Sequence, residues 1–356
     1  MEKEADALEA FGFAKEKGIK TFVLGGGSNV LVSDEGFDGL VIRVVNKGVE
    51  VLSEIPPLAP PKIGGEDGAV LLKVASGEAW DDVVKLAVQS GWWGIENLSH
   101  IPGSTGAIAV QNVGAYGQEA GRVIESVTVF DKETGAVKNL KNKDCGFAYR
   151  QSIFNSSGKG KYIIFDIVFK LSKSAAPNLE YRDLKNYFGP QRTLSVASNA
   201  TSPPKGESNK VLSLSEIRKA IIYIRDKKFP FPVEAKNGNA GSFFKNIILT
   251  GKKYQEVKIR VNKAFGKVAV DGLENKKNVV NSEKIKVSAA FLIELCGLKN
   301  LQSGGAAINQ NQPLVIINQT GTATAKDVLN LAGQIKREVL SKTGIELKFE
   351  PELIGF

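Results

Sequence analysis

Apolar positions along the chain fall into short runs of two spacings, and each spacing predicts an element. Residues 2–17 have a helical pattern that stops at Gly18, and Thr21-Phe22-Val23-Leu24 reads as a strand running into three glycines. Residues 30–34 and 40–45 are also strand-like. Residues 54–68 hold four prolines and three glycines and predict loop. A strand pattern resumes over 70–75. Residues 81–90 are amphipathic, with Val83, Val84 and Ala87 on one face and Gly91 as the stop. Two strand patterns, 123–131 and from Val137 onward, flank Lys132-Glu133-Thr134-Gly135 and predict a hairpin. Residues 162–171 are an almost unbroken apolar strand.

Residues 190–210 are rich in Ser, Pro, Asn, Gly and Lys and read as a mobile loop or linker. Ser213-x-x-Glu216 then has the form of a capping box, followed by Ile217, Ala220, Ile221 and Ile224 at helical spacing. Residues 288–296 predict a helix and 313–318 a strand. Thr324-x-x-Asp327 caps a long helix carrying Val328, Leu331, Ile335 and Val339 and ending at Gly344. No internal repeat is present. The pattern is mixed α+β, with a boundary expected between 190 and 230.

The chain has 356 residues, 42% apolar and 24% charged, which suits a globular protein of two or three domains. No apolar run approaches the ~18–20 residues of a membrane span. The acidic start, Met1-Glu2-Lys3-Glu4, lacks the basic and apolar regions of a signal peptide, so a cytoplasmic chain with no membrane partner is expected. Two cysteines, Cys145 and Cys296, exclude a disulfide scaffold and a four-cysteine zinc site. A single histidine, His100, argues against a multi-histidine metal site, and no metal is expected. These three are read as partly buried packing residues.

Lysines and arginines outnumber acidic residues by 47 to 38, a net charge of +9. They are scattered in doublets such as Lys227-Lys228 and Lys276-Lys277, without the interleaved aromatics of a single-strand groove. A solvated basic surface is the simplest reading, an anionic small ligand with phosphates the next, and nucleic acid the third. No nucleic-acid partner is expected.

Two glycine-rich strings carry more information. Gly25-Gly26-Gly27-Ser28-Asn29 ends in Val30, so it lacks the third glycine of a dinucleotide fingerprint, and a strand pattern follows instead of a helix. It could still turn successive backbone N–H groups toward an anion, or be a tight hairpin. The second string, Ile101 to Gly117, places Gly103, Gly106, Gly114 and Gly117 among small residues. Such a segment offers little packing, which suggests close approach of a ligand to backbone. Two separated loops of this kind point to a large cofactor.

These strings, followed in order by Tyr149-Arg150-Gln151-Ser152, Gly238-Asn239-Ala240-Gly241-Ser242-Phe243-Phe244 and Glu350-Pro351-Glu352, resemble the UDP-N-acetylenolpyruvoylglucosamine reductase (MurB) family, type I. The resemblance runs from about Phe22 to Ile354 and implies a vanillyl-alcohol-oxidase/PCMH-type FAD-binding fold with a C-terminal MurB substrate-binding domain. It implies NADPH-dependent reduction of UDP-N-acetylglucosamine enolpyruvate to UDP-N-acetylmuramate through non-covalent FAD, for peptidoglycan. A monomer is expected. The alternative is a non-catalytic flavin or nucleotide-sugar binder.

By resemblance, the cofactor is held by Gly25, Gly26, Gly27, Ser28, Asn29, Pro102, Gly103, Ser104, Gly106, Asn112, Gly114, Ala115, Tyr116 and Gly117. Arg150 polarises the enolpyruvyl carboxylate, Ser242 delivers a proton to substrate carbon, and Glu352 works with the arginine. Tyr181, Lys228, Asn246, Lys299 and Gln312 match substrate contacts, with Lys228 and Lys299 on the diphosphate and Tyr181 on a closing loop over 177–186. Taken singly, Arg150 fits a surface ion pair, Ser242 a loop hydroxyl bonded to its own backbone, and Glu352 a solvated carboxylate. The order of the motifs gives them roles.

The expected division is a first FAD-binding subdomain over 1–55, a second over 68–212, a substrate domain over 213–345, and a strand over 346–356 returning Glu352 to the flavin. Against the family pattern, the chain starts after a usual strand and Asn-Thr-Phe segment. A tyrosine-proline pair is replaced near Asn278-Val279-Val280, two extra residues separate Lys228 from Ser242, and the last strand is about two residues short.

Overall fold

The computed structural model describes residues 1–55, 68–189, 212–228 and 238–356. Most of the loop expected over 54–68, and all of the segment 190–210, lie outside the described residues. The chain forms two compact units: Met1–Gly27 with Gly39–Asp226, and Ser28–Asp38 with Lys227–Phe356. Chain order would keep 28–38 with its neighbours. The compact units instead give it to the second, for the reason given below.

In the first unit an antiparallel sheet runs Val49–Ile55, Ala69–Ala75, Tyr162–Ser172, Ile124–Asp131, Ala136–Lys141. Its central strand, Tyr162–Ser172, is covered on both faces, which is why it reads as an apolar run and not as an alternation. Phe165 is an extra residue opposite Val129–Thr128. That bulge shifts the parity of the strand. Ile163 and Phe165 pack with Ala7, Val44 and Phe130, while Ile164, Ile167, Phe169 and Leu171 join the larger core. The helix Trp80–Gln89 buries Trp80, Val83, Val84 and Ala87 against that core, at the expected helical spacing. Trp80 donates its indole N–H to the carbonyl of Leu98 at 3.0 Å, leaving no unpaired polar atom on a fully buried ring.

The helix Glu4–Lys17 ends on Gly18 at φ 64, as expected, and packs Ala7 and Phe11 beside the sheet. The strand Thr21–Leu24 pairs in parallel with Leu40–Arg43, so Gly25, Gly26 and Gly27 emerge at its end. The helix Leu214–Lys228 begins with the expected box: Glu216 N–H donates to Ser213 Oγ at 3.2 Å, and Ser213 N–H to Glu216 at 2.9 Å. It buries Ile217, Ala220 and Ile221 with Trp93, Tyr116, Leu179 and Leu184.

The second unit has a sheet ordered Asn239–Ser242, Val315–Asn318, Ala306–Ile308, Gln302–Ser303, and a smaller one ordered Ile247–Thr250, Lys284–Val287, Asn278–Val279. The helices Gly251–Phe265, Lys267–Lys276, Ala289–Leu295 and Ala325–Thr343 cover one shared core. Val30–Val32 pairs in parallel with Glu352–Ile354, and Asp34 accepts from the N–H groups of Ala325 and Lys326 at 2.6 and 3.1 Å. A carboxylate at that helix start adds to the Thr324–Asp327 box. These two ties bind 28–38 to the second unit. Among the described residues no helix is long and apolar enough to cross a membrane.

Candidate functional site

The two glycine strings meet within the first unit. A Cβ on Gly26 would lie 2.7 Å from Gly103 Cα, and one on Gly25 would lie 2.5 Å from Ser104 Oγ. Glycine is required there because the second loop's main chain approaches, not only because a ligand must. The N–H groups of Gly25, Gly26 and Gly27 meet no protein acceptor among the described residues, and Gly26 and Gly27 are exposed. Three donors on one turn suit an anion such as a pyrophosphate. Gly26→Ala is therefore expected to keep the fold and lose cofactor, since a methyl group must push two main chains apart. Flavin retained through gel filtration checks this; wild-type content would contradict it.

Within 101–117, Ser104 precedes the short helix Thr105–Val110, Gly106 packs against Ser76, and Gly114–Ala115 pairs with Gln118–Glu119. Pro102, Gly103 and Gly117 complete the loop's bends, with Gly103 at φ 115 and Gly117 at φ 86. Asn112 is buried, and its amide is engaged on both sides: it donates to Ala148 O and accepts from Gly121 N–H, each at 2.8 Å. It braces the loop from within.

The Tyr-Arg-x-Ser motif is a tight turn. Ala148 and Gln151 exchange backbone hydrogen bonds, and Ser152 Oγ donates to Val110 O at 2.6 Å. This turn holds Arg150 at φ 53, a left-handed conformation that costs a non-glycine residue ~1–2 kcal/mol. The guanidinium donates to Gly114 O at 2.7 Å, and Asn155 supports Arg150 O. Arg150 is thus fixed against the glycine loop. Tyr116 and Tyr181 meet edge to face, with ring centroids 5.2 Å apart. Tyr181 opens the helix Arg182–Phe188, which corrects the expectation of a polar loop there; Leu184 anchors that helix in the core. Asn97, which sequence reading passed over, donates to the carbonyls of Tyr116 and Asn178 at 2.8 and 2.7 Å. It ties the glycine loop to the segment carrying Tyr181.

In the second unit Ser242 ends the strand Asn239–Ser242, after Gly241 at φ 68. Phe243 O accepts from Glu350 N–H at 3.0 Å, and Lys245 N–H donates to Lys348 O at 2.9 Å. The rings of Phe243, Phe244 and Phe349 lock these segments at centroid distances of 5.2 to 5.8 Å. Two residues on, Glu352 N–H donates to Asn29 O at 3.1 Å, and Asn29 Nδ2 donates to Glu350 O at 3.3 Å. The structure therefore brings Asn29, the Ser242 strand end and Glu352 to one region of this unit, with Ser28 leading in. Ser242 Oγ makes no hydrogen bond to any described residue, which removes the reading of a loop hydroxyl bonded to its own backbone.

The substrate candidates are less uniform. Asn246 Oδ1 accepts from Ala289 N–H at 3.0 Å, so half of its amide is committed to a helix start. Lys299 lies 3.5 Å from Glu294, and Gln310 donates to its carbonyl. Gln312 lies on the adjoining turn, its N–H donating to Asn309. Lys228 ends the helix Leu214–Lys228. The packing residues divide. Burial pushes the Cys145 thiol up to about 12 and the Cys296 thiol up to about 11, whereas His100 faces Asp226 at 2.9 Å and is more than packing.

The model of the UDP-N-acetylenolpyruvoylglucosamine reductase C-terminal domain matches residues 232–354, and that of an FAD binding domain matches 1–141. UDP-N-acetylenolpyruvoylglucosamine reductase from Neisseria gonorrhoeae is 39% identical over 328 residues, covering 92% of this chain and 83% of that protein. The enzyme of the same name from Paraburkholderia xenovorans is 34% identical over 351 residues, covering 99% and 90%. Among solved structures, UDP-N-acetylenolpyruvylglucosamine reductase (MurB) from Thermus caldophilus matches with a TM-score of 0.60 at 22% identity, over 99% of this chain and 90% of that one. The expected fold class, an α+β FAD-binding fold with a MurB-type C-terminal domain, is borne out.

Proposed function

The chain belongs to the UDP-N-acetylenolpyruvoylglucosamine reductase family, and from that premise we propose how its own residues divide the reaction. It is an FAD-dependent oxidoreductase that reduces UDP-N-acetylglucosamine enolpyruvate to UDP-N-acetylmuramate with NADPH, a step of peptidoglycan precursor synthesis. When bound, FAD supplies hydride transfer from NADPH to the enolpyruvyl carbon. The N–H groups of Gly25, Gly26 and Gly27, which meet no acceptor among the described residues, fit its pyrophosphate, and the loop over 102–117 fits the remainder.

Hydride addition to an enol ether leaves negative charge on the neighbouring carbon, spread into the carboxylate. The Arg150 guanidinium stabilises that charge, held ready by its bond to Gly114 so that little reorganisation is needed. Glu352 is the acid of this step, working with the arginine. The Ser242 hydroxyl gives its proton to the carbon. An alcohol is a weak acid, but a carbanion-like acceptor is a strong base, so the transfer is downhill. The observation that carries this reading is the Ser242 hydroxyl itself, which has no partner among the described residues although its strand is locked to the segment bearing Glu352.

No observation favours a non-catalytic relative. The setting we propose is a cytoplasmic monomer. Lys228, Lys299, Asn246 and Gln312 take the nucleotide sugar, and Tyr181 closes over it. The test is NADPH oxidation, which should depend on the enolpyruvyl sugar. Lys228→Ala should raise the KM for that sugar about ten-fold or more, the scale of a lost charge-assisted bond, with flavin content kept. NADPH consumption unaffected by the sugar would sink the reading, and an unchanged KM would remove Lys228 from it.

A further inference from the structure

Among the described residues, four non-glycine residues have φ in the left-handed region: His100, Asn112, Tyr116 and Arg150. Two of them, His100 at φ 61 and Tyr116 at φ 46, bracket the second glycine loop. A residue other than glycine in this conformation persists only where its surroundings hold it. One side chain holds both. Arg225 Nε donates to His100 O at 2.8 Å, and the Arg225 guanidinium lies beside the Tyr116 phenol.

The same helix secures the rest of His100. Its N–H donates to Asp81, whose carboxylate is gripped by Arg218 through two 2.7 Å bonds, and its Nε2 lies 2.9 Å from Asp226. Tyr116 is buried, and its carbonyl is held by Asn97. The planar fork of an arginine can reach two acceptors at fixed angles, which a lysine cannot.

We propose that Arg225 is a positioning residue for the cofactor: it clamps both ends of the loop over 101–116 and so keeps that loop in the shape that receives FAD. Nothing in the motif-by-motif reading assigns Arg225 a role. The proposal rests on the placing of FAD at that loop. Holding a strained loop in advance removes an ordering cost from binding, so the effect should appear in cofactor affinity and not in the stability of the fold.

The test is FAD titration of full-length apoprotein by flavin fluorescence, with the thermal midpoint of each apoprotein measured alongside. Arg225→Met should weaken FAD about 10- to 100-fold, the scale of a lost charge-assisted hydrogen bond, while the apoprotein midpoint stays within a few degrees. Arg225→Lys should recover part of the affinity. Tyr116→Phe should cost less than Arg225→Met, and the double variant should bind no worse than Arg225→Met alone, because both remove one shared contact. Wild-type affinity in Arg225→Met and Arg225→Lys would overturn the proposal, as would fully additive losses in the double variant. If Arg225→Met fails to fold, Arg225→Lys and Tyr116→Phe still decide it. Failure of the wild-type protein to bind FAD would instead sink the placing of the cofactor.

Discussion

Ser242→Ala is expected to leave NADPH-to-flavin reduction at its wild-type rate and to slow the transfer to enolpyruvyl sugar by ~10²–10⁴-fold, the usual cost of losing a positioned general acid. The first half-reaction needs no proton donor to substrate carbon; the second does. Alanine removes only the oxygen, and that oxygen has no partner among the described residues to leave unsatisfied. Strand pairing with Val315 and the Phe243, Phe244 and Phe349 cluster should survive, so the thermal midpoint should barely move. Cysteine at the position should recover part of the rate, since a thiol also donates a proton. Stopped-flow measurement of each half-reaction decides the matter. A normal second half-reaction in Ser242→Ala would remove the serine from the chemistry.

Arg150→Gly should separate activity from stability. Glycine relieves the left-handed strain at φ 53, worth ~1–2 kcal/mol, but loses the bond to Gly114 O and enlarges the unfolded ensemble. These terms nearly cancel, so stability should be close to wild type. The second half-reaction should fall ~10²–10³-fold, the scale of one removed charge-stabilising donor. A residue serving only the turn would give the reverse pattern: a normal rate with a raised thermal midpoint. Rates and midpoints measured on the same preparation distinguish the two.

Features set by near neighbours were legible in the chain. The boxes at Ser213–Glu216 and Thr324–Asp327, the stop at Gly18 and the hairpin around Gly135 each depend on residues within about one turn of helix or hairpin, and the structure contains them all. Non-local pairings were not. Nothing in 28–38 announces that Val30–Val32 will pair with Glu352–Ile354, or that Asp34 will cap a helix starting at Ala325. The strand Val49–Ile55 is an edge strand with exposed valines at 49 and 51, so its pattern carries little burial signal. The helix Gly251–Phe265 did carry one, in Tyr254, Val257 and Val261 after the cap Thr250.

For the candidate site, the motifs located the groups but not their supports. Ser242, Glu352 and Arg150 stand in recognisable strings. Asn97, Asn112 and Arg225 act through main-chain carbonyls and a phenol contributed by other segments, and such partners have no sequence spacing. The left-handed conformations at His100 and Tyr116 were hidden for the same reason: the residue types do not demand them, and the surrounding bonds do.

The central claim is that this chain carries a hydride from NADPH to the enolpyruvyl carbon and completes the reduction with a proton. The direct measurement is anaerobic mixing of NADPH-reduced protein with UDP-N-acetylglucosamine enolpyruvate, following flavin absorbance and the sugar product together. The expected result is return of oxidised flavin with stoichiometric formation of UDP-N-acetylmuramate. Flavin that stays reduced in the presence of the sugar, and reoxidises only when air is admitted, would contradict it.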